Sequence, residues 1–208
     1  SNRYSIQLYH RVANAIDLRG LDVLEVGCGR GGGASYVMRY LKPRSMTGLD
    51  LTSESIDFCQ RYYTTPGLSF LQGDAEALDF DLFPHLSVSS RSPKISDRGV
   101  QGAEPFDAVV NVESSHCYGA MDKFLDGAYR ILKSGGHFLF ADFRDADEID
   151  GLRQTFTDAG FRILEEEDIG ANVVHALEVD NDRKQALIRK KVPKVLRHFF
   201  NEFAGMTG

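Results

Sequence analysis

Leu21–Gly33 reads LDVLEVGCGRGGG: an apolar strand running straight into a glycine-crowded turn, with one acid, Glu25, just ahead of it. Backbone without side chains lets a ligand approach the peptide closely, and glycine tolerates positive φ. The next segment, 34–41, can open a helix whose free N–H groups point back at that ligand. Strand, glycine turn and helix N-terminus together make a nucleotide-type cradle.

Two cofactor classes use such a cradle. Gly27, Gly29 and Gly32 satisfy G-x-G-x-x-G, the dinucleotide pattern, and Asp50 follows at about the 20-residue distance of a ribose-binding acid. The same stretch also reads E-x-G-x-G-x-G through Glu25, Gly27, Gly29 and Gly31. In that phase VLEVGCGRG resembles the first motif of class I S-adenosylmethionine-dependent methyltransferases. The rest of the chain has to choose between the two.

At 208 residues the chain has the length of one domain with a sizeable core. No stretch approaches the roughly 18 consecutive apolar residues of a membrane span, and the start carries no signal-peptide pattern. Cys28, Cys59 and Cys117 are few and widely spaced, so neither a disulfide framework nor a zinc knuckle is indicated. A reducing, cytoplasmic setting is the default expectation. The net charge of −6 argues against a general nucleic-acid binder. The six histidines show no H-E-x-x-H or similar spacing, so no metal site is expected.

Strands and helices alternate. The periodicity predicts a helix over 7–17, strands at 21–26 and 45–51, and a helix over 34–41. A further helix should follow Ser53, a candidate cap. Short strands follow at 68–72 and 106–112, the second almost purely apolar, as a strand covered on both faces would be. A helix over 121–132 is expected to break at Lys133-Ser134-Gly135-Gly136. A strand at 137–142, a helix over 148–159 and a sixth strand over 161–168 complete the pattern. It predicts a doubly wound α/β parallel sheet with helices on both faces. Residues 84–105, PHLSVSSRSPKISDRGVQGAEP, are polar and aperiodic and read as an inserted loop.

Open α/β sheets bind ligands beyond the carboxyl ends of their strands. Asp50, in GLDLT with Leu51, closes the second strand, where its carboxylate can accept both ribose hydroxyls. Asp74, in QGDAEAL, closes the third; its carboxylate could accept an adenine amino group while the Ala75 N–H meets a ring nitrogen. The strand 106–112 leads into Asn111-Val112-Glu113-Ser114-Ser115-His116-Cys117-Tyr118. This octet resembles a subgroup of small-molecule methyltransferases that includes mycobacterial enzymes acting on phthiotriolone-type lipids and the sugar O-methyltransferases of antibiotic pathways. With GLDLT, QGDAEAL, FDAVVNVE and LKSGGHFLFADFR, the similarity covers 20–180 apart from the inserted loop. A nicotinamide enzyme would need a second mononucleotide-binding half, for which little chain remains. The methyltransferase reading is therefore taken, with S-adenosylmethionine as cofactor and S-adenosylhomocysteine as product.

Methyl transfer to an alcohol requires a positioned acceptor and removal of its proton, and histidine is the side chain that titrates near neutrality. His116 stands just past the strand 106–112. The resemblance implies a histidine base at this motif position, assisted by an acid ending the next strand, here Asp142. It implies cofactor contacts for Glu25, at the methionine end, and for Asn111; Cys28 fills a position held by cysteine or another small residue. Against these stand plainer roles: His116 bonding a loop carbonyl, Asp142 capping the next segment, Asp74 making an ordinary turn.

The expected function is methyl transfer to a small-molecule acceptor, a hydroxyl of a lipid, polyketide or sugar. N- or C-methylation and a non-catalytic cofactor-binding module are the alternatives. Residues 172–203 read as a long helical region interrupted at Pro193, with seven Lys/Arg and no acid from Arg183 to Arg197 and apolar residues such as Leu187, Ile188, Val192, Val195 and Leu196 between them. Such a basic amphipathic stretch can lie on an anionic lipid surface or pack with a solvated basic face; the resemblance implies that it helps to roof the acceptor site. The oligomeric state is left open. Members of the resembling family usually continue beyond a segment like FAGMTG into a final antiparallel strand; here the sequence ends at Gly208, and a single domain lacking that strand is expected.

Overall fold

The computed structural model describes residues 3–83, 95–96, 99–100 and 106–191. The chain divides into two compact units, Ser1–Leu164 and Glu165–Gly208. Strands of the first unit are β1 (Asp22–Val26), β2 (Ser45–Asp50), β3 (Leu68–Gln72), β4 (Ile95–Ser96), β5 (Gly99–Val100), β6 (Phe106–Val112) and β7 (Leu132–Ala141). Five form one sheet in the order β3-β2-β1-β6-β7, every neighbouring pair parallel. The two-residue strands β4 and β5, within the inserted segment, pair antiparallel with each other.

Parallel strands need crossovers, and these place helices on both faces. One face packs α1 (Arg3–Ala13), α2 (Gly32–Tyr40) and α3 (Ser53–Tyr62), with Ala13, Val37, Ile56 and Cys59 against Val23, Met46, Ala108 and Val110. The other packs α4 (Met121–Ile131) and α5 (Ile149–Asp158), with Phe124, Leu125, Ala128 and Ile131 against Leu24, Val26, Leu49 and Val109. Alternate residues of β1 and β6 thus serve opposite cores, which is why Val23–Val26 are all buried. In α4 the buried positions 124, 125, 128 and 131 follow helical spacing. The crossover side changes between β1, followed by α2, and β6, followed by α4. A crevice therefore opens at the carboxyl ends of β1 and β6, the topological switch point.

Several boundaries differ from expectation. The first helix is Arg3–Ala13 rather than 7–17. Ser53 is the first helical residue; Thr52 is the cap position, and its side chain makes no cap hydrogen bond. α4 ends at Ile131, within a residue of the expected helix end, but Lys133–Gly136 already belong to β7: that strand begins at Leu132, opposite Phe106, rather than at 137, and the register shifts between Phe106 and Ala108. The glycine pair marks a β-bulge, with Gly135 at φ 78°, and Lys133 pairs with Asp107 at 2.8 Å. Residues 161–168 are not a strand: Ile163 and Leu164 are exposed and the segment joins no ladder among the described residues. β7 is an edge of the sheet, yet the segment does not add to it, and without pairing its sequence preference makes no strand. No antiparallel strand joins the five-stranded sheet among the described residues. The second unit contains α6 (Gly170–Lys191). Pro193 and most side chains of the basic stretch lie outside the described residues, as does most of 84–105.

Candidate active site

The turn after β1 is tied to β2: the Gly27 and Cys28 N–H groups both donate to Leu49 O, at 2.8 and 3.0 Å. Gly27 has φ 74° and no room for a side chain; a Cβ there would lie 1.8 Å from Ser114 Oγ and 2.9 Å from Tyr118 Oη. Gly31, at φ 71°, is filled in the same way by Cys59 and Phe70. Gly32 faces open space. Gly27 and Gly29 belong to both glycine phases, Gly29 by its φ of 52° rather than by packing; Gly31, which is filled where Gly32 is open, decides for the phase through Gly27, Gly29 and Gly31.

Glu25 is fully buried on β1. Its Oε1 accepts from Tyr9 Oη at 2.7 Å, and its Oε2 has no hydrogen-bond partner of normal geometry among the described residues. Burial pushes its pKa up to about 8, against the helping Tyr9 hydroxyl and the Ala34 amide at the start of α2. Tyr9 and Cys28 are in turn pushed upward by burial and by the charge of Glu25. Cys28 and Cys59 (raised to about 11 by burial) are buried thiols, not activated nucleophiles. Across the switch point Asn111 is also fully buried; its Nδ2 donates to Val26 O at 2.9 Å and to Tyr118 Oη at 3.2 Å, while its Oδ1 is unpartnered.

Asp50 closes the far side of the turn. Its Oδ2 accepts from Gly29 N at 2.8 Å, and its Oδ1 from Thr52 N and Thr52 Oγ1 at 3.0 and 2.8 Å. Leu51 beside it is 64% exposed. Gly73 N donates to Asp50 O at 3.0 Å, which brings Asp74 alongside. Asp74 Oδ1 accepts from Glu76 N, capping the short turn Ala75–Ala77, with Ala75 buried beneath it.

His116 and Asp142, 26 residues apart, meet at the ends of β6 and β7. Asp142 Oδ1 accepts from His116 Nδ1 at 2.8 Å and from Phe143 N at 2.9 Å; its Oδ2 accepts from Ser115 Oγ at 2.7 Å and His116 N at 2.9 Å. The Asp142 side chain is 0% exposed. Burial would raise its pKa, but the Ser115, His116 and backbone donors outweigh that and hold it below the usual carboxylate range. An ionised carboxylate only accepts, so Nδ1 carries the hydrogen and Nε2 of a neutral ring is the acceptor. The ring packs on Phe143 at 4.2 Å between centroids. Arg144 Nη2 donates to Ser115 Oγ at 2.7 Å and its Nη1 to Phe143 O at 2.6 Å, lying 3.5 Å from Asp142.

Beside this pair opens a cleft of about 400 Å³, lined by His116, Tyr118, Met121, Phe143, Arg144 and Leu152 among others. Ser115, Asp145, Glu148 and Thr155 complete the lining, so the cleft is mixed: an apolar patch of Met121, Phe143 and Leu152 beside several polar and charged groups. A methyltransferase-domain family model matches residues 17–191. The chain belongs to that family. It is 37% identical over 207 residues to a phthiotriol/phenolphthiotriol dimycocerosates methyltransferase of Mycobacterium leprae, covering 100% of this chain and 69% of that one. It is 40% identical over 202 residues to a fatty-acid O-methyltransferase of Mycolicibacterium smegmatis, covering 97% and 66%. The chain thus spans about two thirds of the length of these relatives. In fold it is similar to Haemonchus contortus phosphoethanolamine N-methyltransferase 2, solved with S-adenosyl-L-methionine, at TM-score 0.68, 16% identity and coverage of 98% of this chain and 47% of that one.

As a methyltransferase of this family the protein uses S-adenosylmethionine. The residues fit that molecule. Glu25 Oε2 and Asn111 Oδ1 are buried acceptors without a hydrogen-bond partner of normal geometry among the described residues, on the neighbouring strands β1 and β6 beside the glycine turn, and each could accept from a polar group of the ligand. At Gly29 and Gly32, where a side chain would meet nothing within 4 Å, the turn leaves the backbone bare for close approach. Tyr9, Ser114, Ser115, Tyr118, Phe143 and Arg144 were not singled out from the sequence. Arg144 could have been, being a charged residue two positions past Asp142. Tyr9 carried no signal, since its partner is 16 residues away on another element.

Proposed function

We propose that the protein transfers a methyl group from S-adenosylmethionine to a hydroxyl of a lipid-like small molecule. The observation that carries this is the His116–Asp142 pair at the cleft. A carboxylate acceptor is already ionised at neutral pH and needs no base; an alcohol does. The lipid-modifying relatives support a lipid-like acceptor, and Met121, Phe143 and Leu152 give the otherwise polar cleft an apolar patch that such an acceptor could use.

When bound, S-adenosylmethionine supplies a methyl activated by its sulfonium. We assign its methionine end to Glu25 and Asn111 with Gly27 and Cys28, its ribose to Asp50 with Gly29, Gly31 and Leu51, and its adenine to Asp74 and Ala75. His116 Nε2 takes the hydroxyl proton. Asp142 holds the ring through Nδ1 and stabilises the imidazolium that forms. Ser115 and Arg144 keep Asp142 in place. The basic stretch Arg183–Arg197 supports contact with an anionic lipid surface, where such an acceptor would be met.

The test is His116→Ala, assayed with a long-chain alcohol. Turnover is expected to fall by about 10²–10⁴-fold, the range for a general base, with S-adenosylhomocysteine affinity unchanged. Undiminished turnover would remove His116 from the reaction. A protein that binds cofactor but methylates no alcohol would favour the binding-module reading.

A further inference from the structure

We propose that Tyr118 meets the sulfonium methyl of the cofactor and is the side chain by which the protein tells S-adenosylmethionine from S-adenosylhomocysteine. The inference rests on the donor assigned above. Two placements lead to it. Tyr118 lines the cleft together with His116. Its Oη also lies against the glycine turn, 2.9 Å from where a Gly27 Cβ would be. A methyl group that leaves the turn for the cleft has to pass a side chain that borders both, and Tyr118 borders both.

The oxygen is prepared for that role. Asn111 spends one amide hydrogen on Val26 O and the other on Tyr118 Oη, at 2.9 and 3.2 Å. Asn111 therefore faces the phenol as a fixed donor, and Oη receives. Ser114 Oγ lies 2.8 Å away on the other side. With the phenol hydrogen given to Ser114, a second lone pair of Oη is left over. Hydrogens on a carbon next to S⁺ are strongly polarised, and an oxygen lone pair is their natural partner. The product has neither that methyl nor the charge.

Burial raises the pKa of the phenol despite its Ser114 and Asn111 bonds, so it stays neutral and does not compete with His116 as a base. The ring itself is held edge-to-face by Phe124, at 4.9 Å and 81°. Tyr118→Phe keeps this packing and deletes only the oxygen.

Calorimetric titration of wild type and Tyr118→Phe with each ligand reads the contact without turnover. The variant is expected to bind S-adenosylmethionine about two- to fivefold more weakly, the scale of a weak C–H···O contact, with S-adenosylhomocysteine affinity unchanged. Equal loss for both ligands, or no loss for either, overturns the proposal. Wild type that binds neither ligand would instead overturn the donor assignment. If Tyr118→Phe gives no cooperative melt, the unaltered protein decides. A nuclear Overhauser contact between the methyl of bound methyl-¹³C S-adenosylmethionine and the Tyr118 ring is expected, and its absence overturns the proposal.

Discussion

Replacing Glu25 with Gln should stabilise the free protein while weakening cofactor binding. The buried carboxyl has a folded-state pKa of about 8 against 4.5 unperturbed, and burial is the main cause. Its folded form holds the proton more tightly than its unfolded form. The corresponding stability is complete below about pH 4.5 and is lost progressively as the pH rises towards 8. At about 1.36 kcal/mol per unit, a shift of this size represents on the order of 5 kcal/mol across the window, and roughly 3 kcal/mol by pH 7. That is a large part of the about 5–15 kcal/mol of a typical domain. Glutamine mimics the protonated acid, can still accept from Tyr9 Oη, and does not titrate. Urea unfolding at a series of pH values from 4.5 to 8.5, without ligand, should give nearly matching stabilities at the acid end. The variant should lead by several kcal/mol at the alkaline end. Curves that run parallel would mean Glu25 is not the linked group. The compensating loss appears with ligand: an ammonium bonded to a charged acceptor contributes about 1.5–3 kcal/mol, so the variant should bind S-adenosylhomocysteine about tenfold or more weakly. The acid is thus a cost to the empty fold that the ligand redeems.

Two further outcomes follow from the geometry. Gly27→Ala places a Cβ 1.8 Å from Ser114 Oγ at a residue with φ 74°, so calorimetry should show cofactor binding abolished or reduced well beyond tenfold, whereas Gly32→Ala, with nothing within 4 Å, should bind as wild type does. Asp142→Asn removes the ionised acceptor shared by Ser115, His116 and Phe143, and should cost on the order of 1–3 kcal/mol at neutral pH. Because the folded pKa of Asp142 is depressed, that advantage of the wild type is present above the usual carboxylate range and should vanish as the pH falls below it; a pH-independent gap in denaturation midpoints would contradict this.

The order of strands and helices, and the motifs at their carboxyl ends, were legible because they are local. A run such as Phe106–Val112 is apolar on both faces because both faces are covered, and its length and flanks mark its ends. Asp50 and Asp74 could be placed at strand ends for the same reason. The end of α4 was legible, but the start of β7 was placed five residues late, since Gly135-Gly136 carries the same local signal in a turn as in a bulge. The segment 161–168 was misread as a strand, since alternation records a preference for a pleated surface and not the presence of a partner.

The glycine turn, the doubly wound order and the approach of His116 to the switch point follow from patterns a few residues long, in which backbone freedom and hydrophobic period act directly. The phase of the glycines, the lock of Tyr9 on Glu25, the Ser115 and His116 bonds to Asp142 and the place of Tyr118 between turn and cleft arise from residues 7 to 91 positions apart. Such contacts are set by strand register and helix crossing. Those in turn depend on how two whole cores pack, and a short window of sequence contains neither.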